Sequence, residues 1–502
     1  MKFVFSHAKN NEITYSIDNK YFHSVYNPSS EAEKWVNQID CNFNPKAIIV
    51  LGIGLPYCIN YLKKKFYNTK IILVQYSKEI YDKVKIDFSN LFDENTKQVL
   101  LNDFKQPQHF SAFLFNNFSE EISNQILFLS WKPSETFFSE EYSFSLKAIQ
   151  EYLNKSKDLI ATRRYFSKKW ISNIIRFFSL SKENFYKIEK GTKDILIVAS
   201  GPSLKYSLDN IKKYKNNFFL ISVSSATNVL IKNNIIPDLI LTTDGGYWAK
   251  KHLSTYKKNL TSIPIICPAE ASLPINLLQE SKIIPIEYND FTNKYFFEST
   301  KLSTIKTNRN GTVSGSALEI AKQLTTSNIY FIGLDLSNNT GFQHTQPNIL
   351  EINDSLTDYF FSNKETRISK RNLSFSALNT YKNWFENLSK DYVKNVFRIY
   401  DTKTENLGNI ETISFENIIF NKNSTTPQIY KQINYKKIDL INLLKTLLSK
   451  IENDFQWLKI LSLGNILNYE KFTKNIFLEQ AISESKDFLI NQIKKLELVN
   501  DR

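Results

Sequence analysis

Short runs of consecutive apolar residues recur through the middle of the 502-residue chain, with amphipathic stretches between them. A continuous apolar run is typical of a strand buried on both faces of a parallel sheet, whereas apolar spacings of three and four residues indicate a helix. Helices are predicted at Ala226–Asn233 and Ser316–Leu324. Strands are predicted at Ile195–Val198, Phe218–Val223, Leu239–Thr243, Ile263–Cys267 and Ile329–Leu334. The alternation predicts a doubly wound α/β domain with a mostly parallel sheet between two helical layers.

A shorter α/β pattern precedes this region. Ala47–Leu51 and Ile71–Val74 predict strands, joined by the glycine-containing turn Gly52–Gly54 and a helix that begins near Pro56. This is the start of a Rossmann-like domain. It lacks the third glycine of the dinucleotide fingerprint, and Gln75-Tyr76 stands where an acidic residue is expected. We therefore favour a structural or degenerate domain over a nucleotide or S-adenosylmethionine site.

Helical patterns join and follow these two regions. Leu159–Phe178 predicts a basic, aromatic helix, which suits a connecting role better than a nucleic-acid or membrane surface. The apolar stripes Leu440–Leu458 and Leu478–Leu496 predict two long helices that pack on each other or on a partner, including a second copy of the chain. Residues 403–430, rich in Asn, Thr and Ser, predict a linker.

The amino-acid composition indicates the cellular compartment of the protein more clearly than its reaction. The net charge is +14, but the abundance of Lys, Asn and Ile indicates a codon bias, and no dense Lys/Arg block marks a nucleic-acid arm. The three cysteines form no C-x-x-C pair, which argues against a disulfide framework or a structural zinc site and fits a reducing compartment. No apolar run approaches the roughly 18 residues that span a bilayer, and no signal-peptide core is apparent. We expect a cytoplasmic protein without a transmembrane segment.

The loop after the first strand of the central region contains small, polar residues. It reads Ser200, Gly201, Pro202 and Ser203, and a helix follows it. Gly201 permits close approach of a ligand, and the N–H groups of a helix N-terminus favour phosphate. Ser203 either caps the helix or donates a hydroxyl to a ligand. The G-K-[ST] ending of a Walker loop is absent, so these residues leave open a nucleotide site and a plain strand-to-helix turn.

A carboxylate and a second glycine-containing loop follow later strands. Asp244 ends the strand Leu239–Thr243 before two glycines, and it suits a turn residue or a ligand for a ribose hydroxyl, a metal or a substrate. The loop 308–316 includes Arg309, Ser314 and Gly315 and opens a helix, which makes it a second candidate anion site.

The last predicted strand of the central region ends beside two further chemical groups. Asp335 comes directly after the strand, and His344 lies in the loop beyond it. A histidine in such a loop suits a general base, because its pKa lies near neutrality, although a surface histidine fits equally well.

Four segments in this order resemble the motility-associated factor (Maf) glycosyltransferases, whose central domain is MptE-like. The segments are Ile195–Leu204, Pro237–Asp244, Gly311–Leu318, and Ile332–Leu336 followed by His344. The layout implied by the resemblance comprises an N-terminal Rossmann-like domain (1–155), a connecting helix (156–190), a central GT-A-like domain (191–402), and a linker with a C-terminal helical domain (403–502).

The resemblance also implies a reaction. Such proteins move a nonulosonic acid of the pseudaminic or legionaminic type from a CMP-sugar to Ser or Thr of flagellin, which supports flagellar assembly and motility. The related bacterial sialyltransferases use CMP-sialic acid without a metal or other cofactor. Residue by residue, the resemblance implies nucleotide contacts for Gly201, Pro202 and Ser203, nucleotide and sugar contacts for Ser314 and Gly315, cytidine contacts for Gly333 and Asp335, and a base role for His344.

This chain departs from the sialyltransferase pattern at two positions. Ser337 stands at the first position where those enzymes have tyrosines that steady the leaving phosphate, and Ser200 stands in place of an asparagine. Stabilisation of the leaving group would then fall to backbone donors, Ser203, Ser314 or Arg309.

Two other functions fit the same residues. Archaeal relatives of the central domain resemble pterin pyrophosphokinases, which use ATP and Mg²⁺, and Asp244 would then be a metal ligand. Alternatively, the two C-terminal stripes would make the protein a non-catalytic flagellin-binding chaperone or scaffold.

Overall fold

The structure is a computed structural model that describes residues 2–181, 184–254, 260–336, 342, 344–360, 363–366, 376–399, 406–420 and 423–500, with backbone alone at 376, 377, 379, 380, 499 and 500. It divides into two compact units. The first comprises Met1–Tyr165 and Lys450–Phe488, and the second comprises Phe166–Ser449 and Leu489–Arg502.

The strands, in chain order, are β1 (Phe3–His7), β2 (Ile13–Ile17), β3 (Lys20–Tyr21), β4 (Ala47–Leu51), β5 (Lys70–Gln75), β6 (Thr96–Leu100), β7 (Ile126–Ser130), β8 (Tyr186–Glu189), β9 (Ile195–Val198), β10 (Phe219–Val223), β11 (Leu239–Leu241), β12 (Ile265–Pro268), β13 (Ile283–Tyr288), β14 (Ile305–Thr307), β15 (Ile329–Ile332), β16 (Val396–Ile399), β17 (Glu411–Ile413) and β18 (Gln428–Lys431).

The α-helices of the described residues are α1 (Pro28–Asn37), α2 (Cys58–Lys65), α3 (Lys78–Asp87), α4 (Pro107–Asn117), α5 (Lys132–Phe137), α6 (Ser139–Leu180), α7 (Leu204–Tyr214), α8 (Ser224–Lys232), α9 (Tyr247–His252), α10 (Ile275–Glu280), α11 (Phe291–Phe297), α12 (Val313–Leu324), α13 (Ile349–Ser355), α14 (Ser376–Glu386), α15 (Leu440–Lys450), α16 (Phe455–Leu461), α17 (Leu463–Phe472) and α18 (Asn475–Asn500). Short 3₁₀ turns lie at Ser89–Leu91, Leu101–Asp103, Glu120–Gln125, Lys215–Asn217, Phe415–Asn417 and Ile451–Asn453.

The first unit is built around a parallel sheet with the strand order β6-β5-β4-β7. Every residue of β4 is buried, because helices and loops cover both faces of this central strand. A separate antiparallel sheet has the order β1-β2-β3. The predicted β-turn-α-β unit at the start of a Rossmann-like domain is therefore confirmed.

The glycine turn of the first unit is filled by its own side chains. Gly54 has a φ of 70°, and a Cβ there would lie 2.5 Å from the Tyr15 hydroxyl and 2.8 Å from His23 Nε2. The Leu55 N–H donates to His23 Nε2 at 3.0 Å, and Gln75 Nε2 donates to the Gly54 carbonyl at 2.8 Å. This close packing supports a structural role for the turn.

The second unit contains a parallel sheet whose described strands follow the order β14-β13-β12-β11-β10-β9-β15-β16-β17. The chain moves outward from β9 to β14 and then returns to the other side of β9 to form β15. Hydrophobic clusters cover the two faces, so the sheet lies between two layers as predicted. The strand order reverses between β9 and β15, and in open α/β sheets such a switch point leaves a ligand crevice beyond the carboxyl ends of the strands.

Two sequence predictions differ from the structure in the C-terminal third. Residues 403–430 are predicted as a linker, but Glu411–Ile413 forms edge strand β17 and Gln428–Lys431 pairs with β8. Edge strands expose much of their surface, so these polar segments lack the apolar signal of a buried strand. The predicted helix Leu440–Leu458 is two helices, because Asp454 accepts the Trp457 N–H and begins α16 as an N-cap.

Other predicted helices are confirmed. Leu159–Phe178 lies within α6, Leu478–Leu496 lies within α18, and α8 and α12 match the predicted segments within three residues. Lys445 Nζ and Glu497 pair at 2.9 Å and join α15 to the last part of α18. In the part of the chain that the structure covers, no helix combines the length and apolarity needed to cross a bilayer.

Candidate functional site at the switch point of the central sheet

The loops that leave β9 and β15 meet at the switch point. The Gly201 N–H donates to the Gly333 carbonyl at 2.8 Å. A Cβ at Gly201 would lie 2.5 Å from that carbonyl oxygen and 2.7 Å from the Asp335 carboxylate. Glycine is required here because the two backbones touch. The structure therefore brings together two segments that are more than 130 residues apart in the sequence.

Asp335 occupies the N-terminus of α7. Its buried carboxylate accepts the Ser203 N–H at 2.7 Å and also the Ser203 hydroxyl. Ser203 does not cap its own helix, and the positive end of the helix dipole faces a carboxylate of the protein. A phosphate at this position would meet that negative charge, whereas the hydroxyl or amino groups of a nucleoside could donate to it. Nucleotide contacts for Pro202, Ser203, Gly333 and Asp335 remain predictions.

Thr345 connects the loop that contains His344 to the Gly-Pro-Ser loop by two hydrogen bonds. Its N–H donates to the Ser200 carbonyl at 2.7 Å, and its hydroxyl donates to the Gly201 carbonyl at 2.6 Å. Ser200 is buried, and its hydroxyl lies 2.8 Å from the Ser225 hydroxyl at the start of α8. His344 is therefore held one residue from a direct contact with the candidate nucleotide loop.

His344 lines a cavity of about 230 Å³ beside this contact. The cavity is lined by Trp248, His344, Gln346, Asn348, Leu350, Glu351 and Asp354. The carboxylates lie on α13 and the tryptophan on α9. Sequence reasoning missed these residues, because an ordinary helical surface has the same composition and no local spacing indicates that it faces His344.

A second histidine lies close to His344. Burial, and then the charge of His344, lower the pKa of His252 from its usual 6.5 to about 4. The His252 side chain is buried, and its Nδ1 has no hydrogen-bond partner among the described residues. His252 is therefore neutral at physiological pH.

This arrangement predicts a pH dependence of stability. The folded-state pKa of His252 is depressed, so the unfolded chain binds more protons between pH 6.5 and about 4. The contribution of His252 is fully present above pH 6.5 and falls by about 3 kcal/mol as the pH drops to about 4. We expect His252→Gln to flatten the free energy of unfolding across this window, as measured by urea titration. His109→Gln, at an exposed position, is the control, and an equal flattening by both variants would contradict the assignment.

Asp244 has a local partner in its own turn. Its exposed carboxylate accepts the Gly246 N–H at 2.7 Å, which stabilises the turn after β11. Burial and the Asp244 charge both raise the pKa of Tyr381, so the phenol lies near this carboxylate. A Cβ at Gly311 would lie 3.9 Å from the Tyr381 ring. The Tyr381 side chain thus lies near both the Asp244 turn and the second glycine loop, a placement with no signal in the local sequence.

The Arg309 guanidinium contacts two carboxylates and two aromatic rings of the protein. Its Nη2 donates to Glu270 at 2.7 Å and to Asp290 at 2.9 Å, and the guanidinium lies 4.8 Å from the Trp170 ring and 4.5 Å from the Tyr288 ring. Burial lowers the pKa of Arg309, but the two carboxylates raise it by more. The described contacts therefore favour a structural role.

The loop before α12 forms a second helix N-terminus at the same edge of the sheet. Thr312 caps the helix by accepting the Ser314 N–H at 3.3 Å, and a Cβ at Gly315 would lie 2.6 Å from the Asn310 side chain. Because α12 connects parallel strands β14 and β15, it must begin at their carboxyl edge. The predicted ligand contacts of Ser314 and Gly315 are compatible with this position but remain predictions.

Two further sequence predictions concern Ser337 and a metal site. Ser337 lies outside the described residues. Within the described ranges, no cluster of three or more His, Cys, Asp or Glu side chains is arranged to hold a metal ion.

Parts of the chain are similar to a known protein family and to a known protein. Residues 168–341 match the family model described as 6-hydroxymethylpterin diphosphokinase MptE-like. An uncharacterized protein of Treponema pallidum (strain Nichols) is 28% identical over 313 residues, which is 61% of this chain and 66% of the relative, just under two thirds of its length.

A solved structure shows the same fold. It is the Maf glycosyltransferase from Magnetospirillum magneticum AMB-1, which superposes with a TM-score of 0.57 at 11% sequence identity. The match covers 99% of this chain and 87% of the other. The predicted resemblance is thus confirmed, and the chain combines an MptE-like domain with the fold of a Maf glycosyltransferase.

Proposed function

We propose that the protein is a glycosyltransferase that moves a nonulosonic acid from a CMP-sugar to Ser or Thr of flagellin and thereby supports flagellar assembly. The observation that carries the proposal is the pair of Thr345 hydrogen bonds, which hold His344 beside the Gly-Pro-Ser loop at the switch point. The proposed base and the candidate nucleotide loop are thus adjacent, as direct transfer requires.

The proposed reaction is a single displacement. His344 takes the proton of the acceptor hydroxyl, whose oxygen forms a bond to the anomeric carbon of the sugar. The bond from that carbon to the phosphate oxygen breaks, and CMP leaves with the electron pair. In this scheme Asp335 faces the cytidine. The leaving phosphate faces the N-terminus of α12 at Ser314 and Gly315, because Asp335 already occupies the N-terminus of α7.

The resemblance supports a reaction that needs no metal ion and no cofactor beyond the donor. The proposed reaction therefore includes neither a metal ion nor a cofactor. It also includes a cytoplasmic location, where the free cysteines Cys41, Cys58 and Cys267 would stay reduced. The partners are flagellin and the CMP-sugar.

The test is a transfer assay with the full chain, CMP-pseudaminic or CMP-legionaminic acid, and flagellin. We expect the intact mass of flagellin to rise by whole sugar units and CMP to be released in equal amount. CMP alone should raise the melting temperature, because a ligand that binds only the folded state stabilises it. An unchanged flagellin mass with both donors would overturn the proposal.

A second candidate follows from the MptE-like match. The matched model is described as a pterin diphosphokinase, so a transfer of diphosphate from ATP to hydroxymethylpterin is the competing reaction. The same preparation is incubated with ATP, Mg²⁺ and hydroxymethyldihydropterin. AMP release would favour this candidate, whereas we expect none.

A further inference from the structure

We infer that a cavity at the amino edge of the central sheet binds a small aromatic molecule that carries a phosphate or a carboxylate. The inference is independent of the proposed sugar transfer. The cavity has a volume of about 320 Å³, at the lower end of the roughly 300–1,000 Å³ of pockets that enclose small-molecule ligands. Its lining comes from four segments: the end of α6, the residues before β8, the residues before β14, and the connection between β18 and α15.

These segments meet at the edge of the sheet opposite the switch point. Phe185 forms a parallel bridge with Ile283, the first residue of β13. Thr300 and Leu302 come just before β14, which begins at Ile305. Because β13 and β14 are parallel, their first residues lie at the amino edge, whereas the crevice of the switch point lies beyond the carboxyl ends of the strands. A ligand in this cavity would therefore leave the switch point open.

Hydrogen bonds hold the walls of the cavity together. The N–H of buried Gln432 donates to the Phe185 carbonyl at 2.9 Å, and its Nε2 donates to the Ser303 carbonyl at 2.9 Å. The Ser303 N–H donates to Gln432 Oε1 at 2.8 Å. The Lys436 N–H donates to the Thr300 carbonyl at 2.7 Å. The walls are thus preformed, so a ligand would bind without the cost of ordering them.

The apolar part of the cavity suits a flat ring. Its lining includes buried Phe178 and Phe185, and the Tyr435 ring packs edge-on against Phe185 at a centroid distance of 5.4 Å. Half-buried Leu302, Tyr435 and Ile438 present accessible surface to the cavity. Aromatic rings pack well on such surfaces and remove apolar area from water. We therefore place the ring of the ligand against these three side chains.

The polar part of the cavity suits an anion. Within the described ranges, the Ser179 hydroxyl and the ammonium groups of Lys436 and Lys437 have no hydrogen bond or ion pair to the protein. No carboxylate belongs to the described residues of the lining. The carboxylate nearest to these lysines in the sequence, Asp439, accepts the Asn442 N–H at 3.0 Å at the start of α15. Both lysines are exposed, so their ammonium groups lie at the mouth of the cavity, where they attract a negative charge.

The two parts together define the ligand class. A ring with one anionic group fills the apolar part and forms charge-assisted hydrogen bonds at the mouth. Inorganic phosphate would use only the lysines, and a neutral ring would use only the apolar surface. A ligand that combines both groups should therefore bind more tightly than either group alone.

The test is isothermal titration calorimetry of the full-length protein with phenyl phosphate and with benzoate. We expect one or both probes to bind with one molecule per chain, and inorganic phosphate and phenol to bind at least about tenfold more weakly. The tighter of the two probes identifies the anionic group. The double variant Lys436→Gln and Lys437→Gln should weaken this binding by at least about tenfold, because it removes both charges. The double variant Lys390→Gln and Lys394→Gln makes the same charge change at exposed positions elsewhere in the second unit and should bind as the wild type does.

A second variant tests the apolar part. Leu302→Trp should fill the cavity and abolish binding of the probe, and a melting curve without ligand checks that the variant is folded. The inference is overturned if neither probe binds the wild type, or if inorganic phosphate binds as tightly as phenyl phosphate. It is also overturned if the two lysine double variants bind equally well, because the probe would then bind elsewhere or respond to net charge alone. The proposed function is tested separately by the transfer assay.

Discussion

Replacement of His344 by alanine is expected to lower the rate of sugar transfer to flagellin by about 10²–10⁴-fold, the usual contribution of a general base. The reason is that the acceptor hydroxyl then attacks without a group to take its proton. His344 is half-buried in a loop, and Thr345 forms the backbone and hydroxyl contacts that hold this loop in place. The variant should therefore keep its fold and its affinity for CMP.

The measurement is the initial rate of transfer at saturating CMP-sugar, followed by the intact mass of flagellin. His109→Ala removes an exposed histidine from α4 and should transfer at the wild-type rate. The same variants also test the scaffold alternative in cells. If cells with only the His344→Ala protein show normal flagellin masses while a deletion abolishes the mass shift, the base assignment is wrong and a non-catalytic role is favoured.

Replacement of Gly333 by alanine is expected to lower the free energy of unfolding by roughly 2–4 kcal/mol. Gly333 has a φ of 69°, a left-handed conformation that alone costs an L-residue about 1–2 kcal/mol. A Cβ there would also clash with the Ala199 carbonyl, whose carbon lies 2.9 Å away. Backbone at the end of β9 cannot move aside without shifting the Gly-Pro-Ser loop, so CMP binding should weaken as well.

The control for this variant is Gly311→Ala. At Gly311 the nearest neighbouring atom to a new Cβ would be a Tyr381 ring carbon at 3.9 Å, an ordinary contact. Urea titration should show an unfolding free energy close to wild type for Gly311→Ala and a clear loss for Gly333→Ala. Equal stabilities for the two variants would show that the close approach of β9 and β15 is not as described.

The Asp335 contacts change how the Gly-Pro-Ser loop is understood. Local sequence identifies a helix N-terminus with free N–H donors, which favours phosphate. The fold brings in the carboxylate of Asp335, which follows β15 and lies 132 residues after Ser203, and this carboxylate accepts both Ser203 donors. The loop therefore holds the ends of β9 and β15 together. A ligand at this helix N-terminus would meet the Asp335 carboxylate and not free N–H groups.

The amino-acid sequence by itself determined the strands of the central sheet, the helices between them, and the positions where polar loops leave the strands. It could do so because strands buried on both faces are continuous apolar runs, a signal contained within a few residues. Exposed edge strand β17 and the N-cap at Asp454 lack that signal, and the predictions failed there.

Only the tertiary structure decided which loops meet. The return of the chain to form β15 beside β9 creates the switch point and brings Gly333 and Asp335 to Gly201 and Ser203. The packing of the sheet also pairs Arg309 with buried Glu270, a partner that the local sequence does not indicate. Long-range pairing of this kind depends on how whole elements pack together, and no spacing within a single segment encodes it.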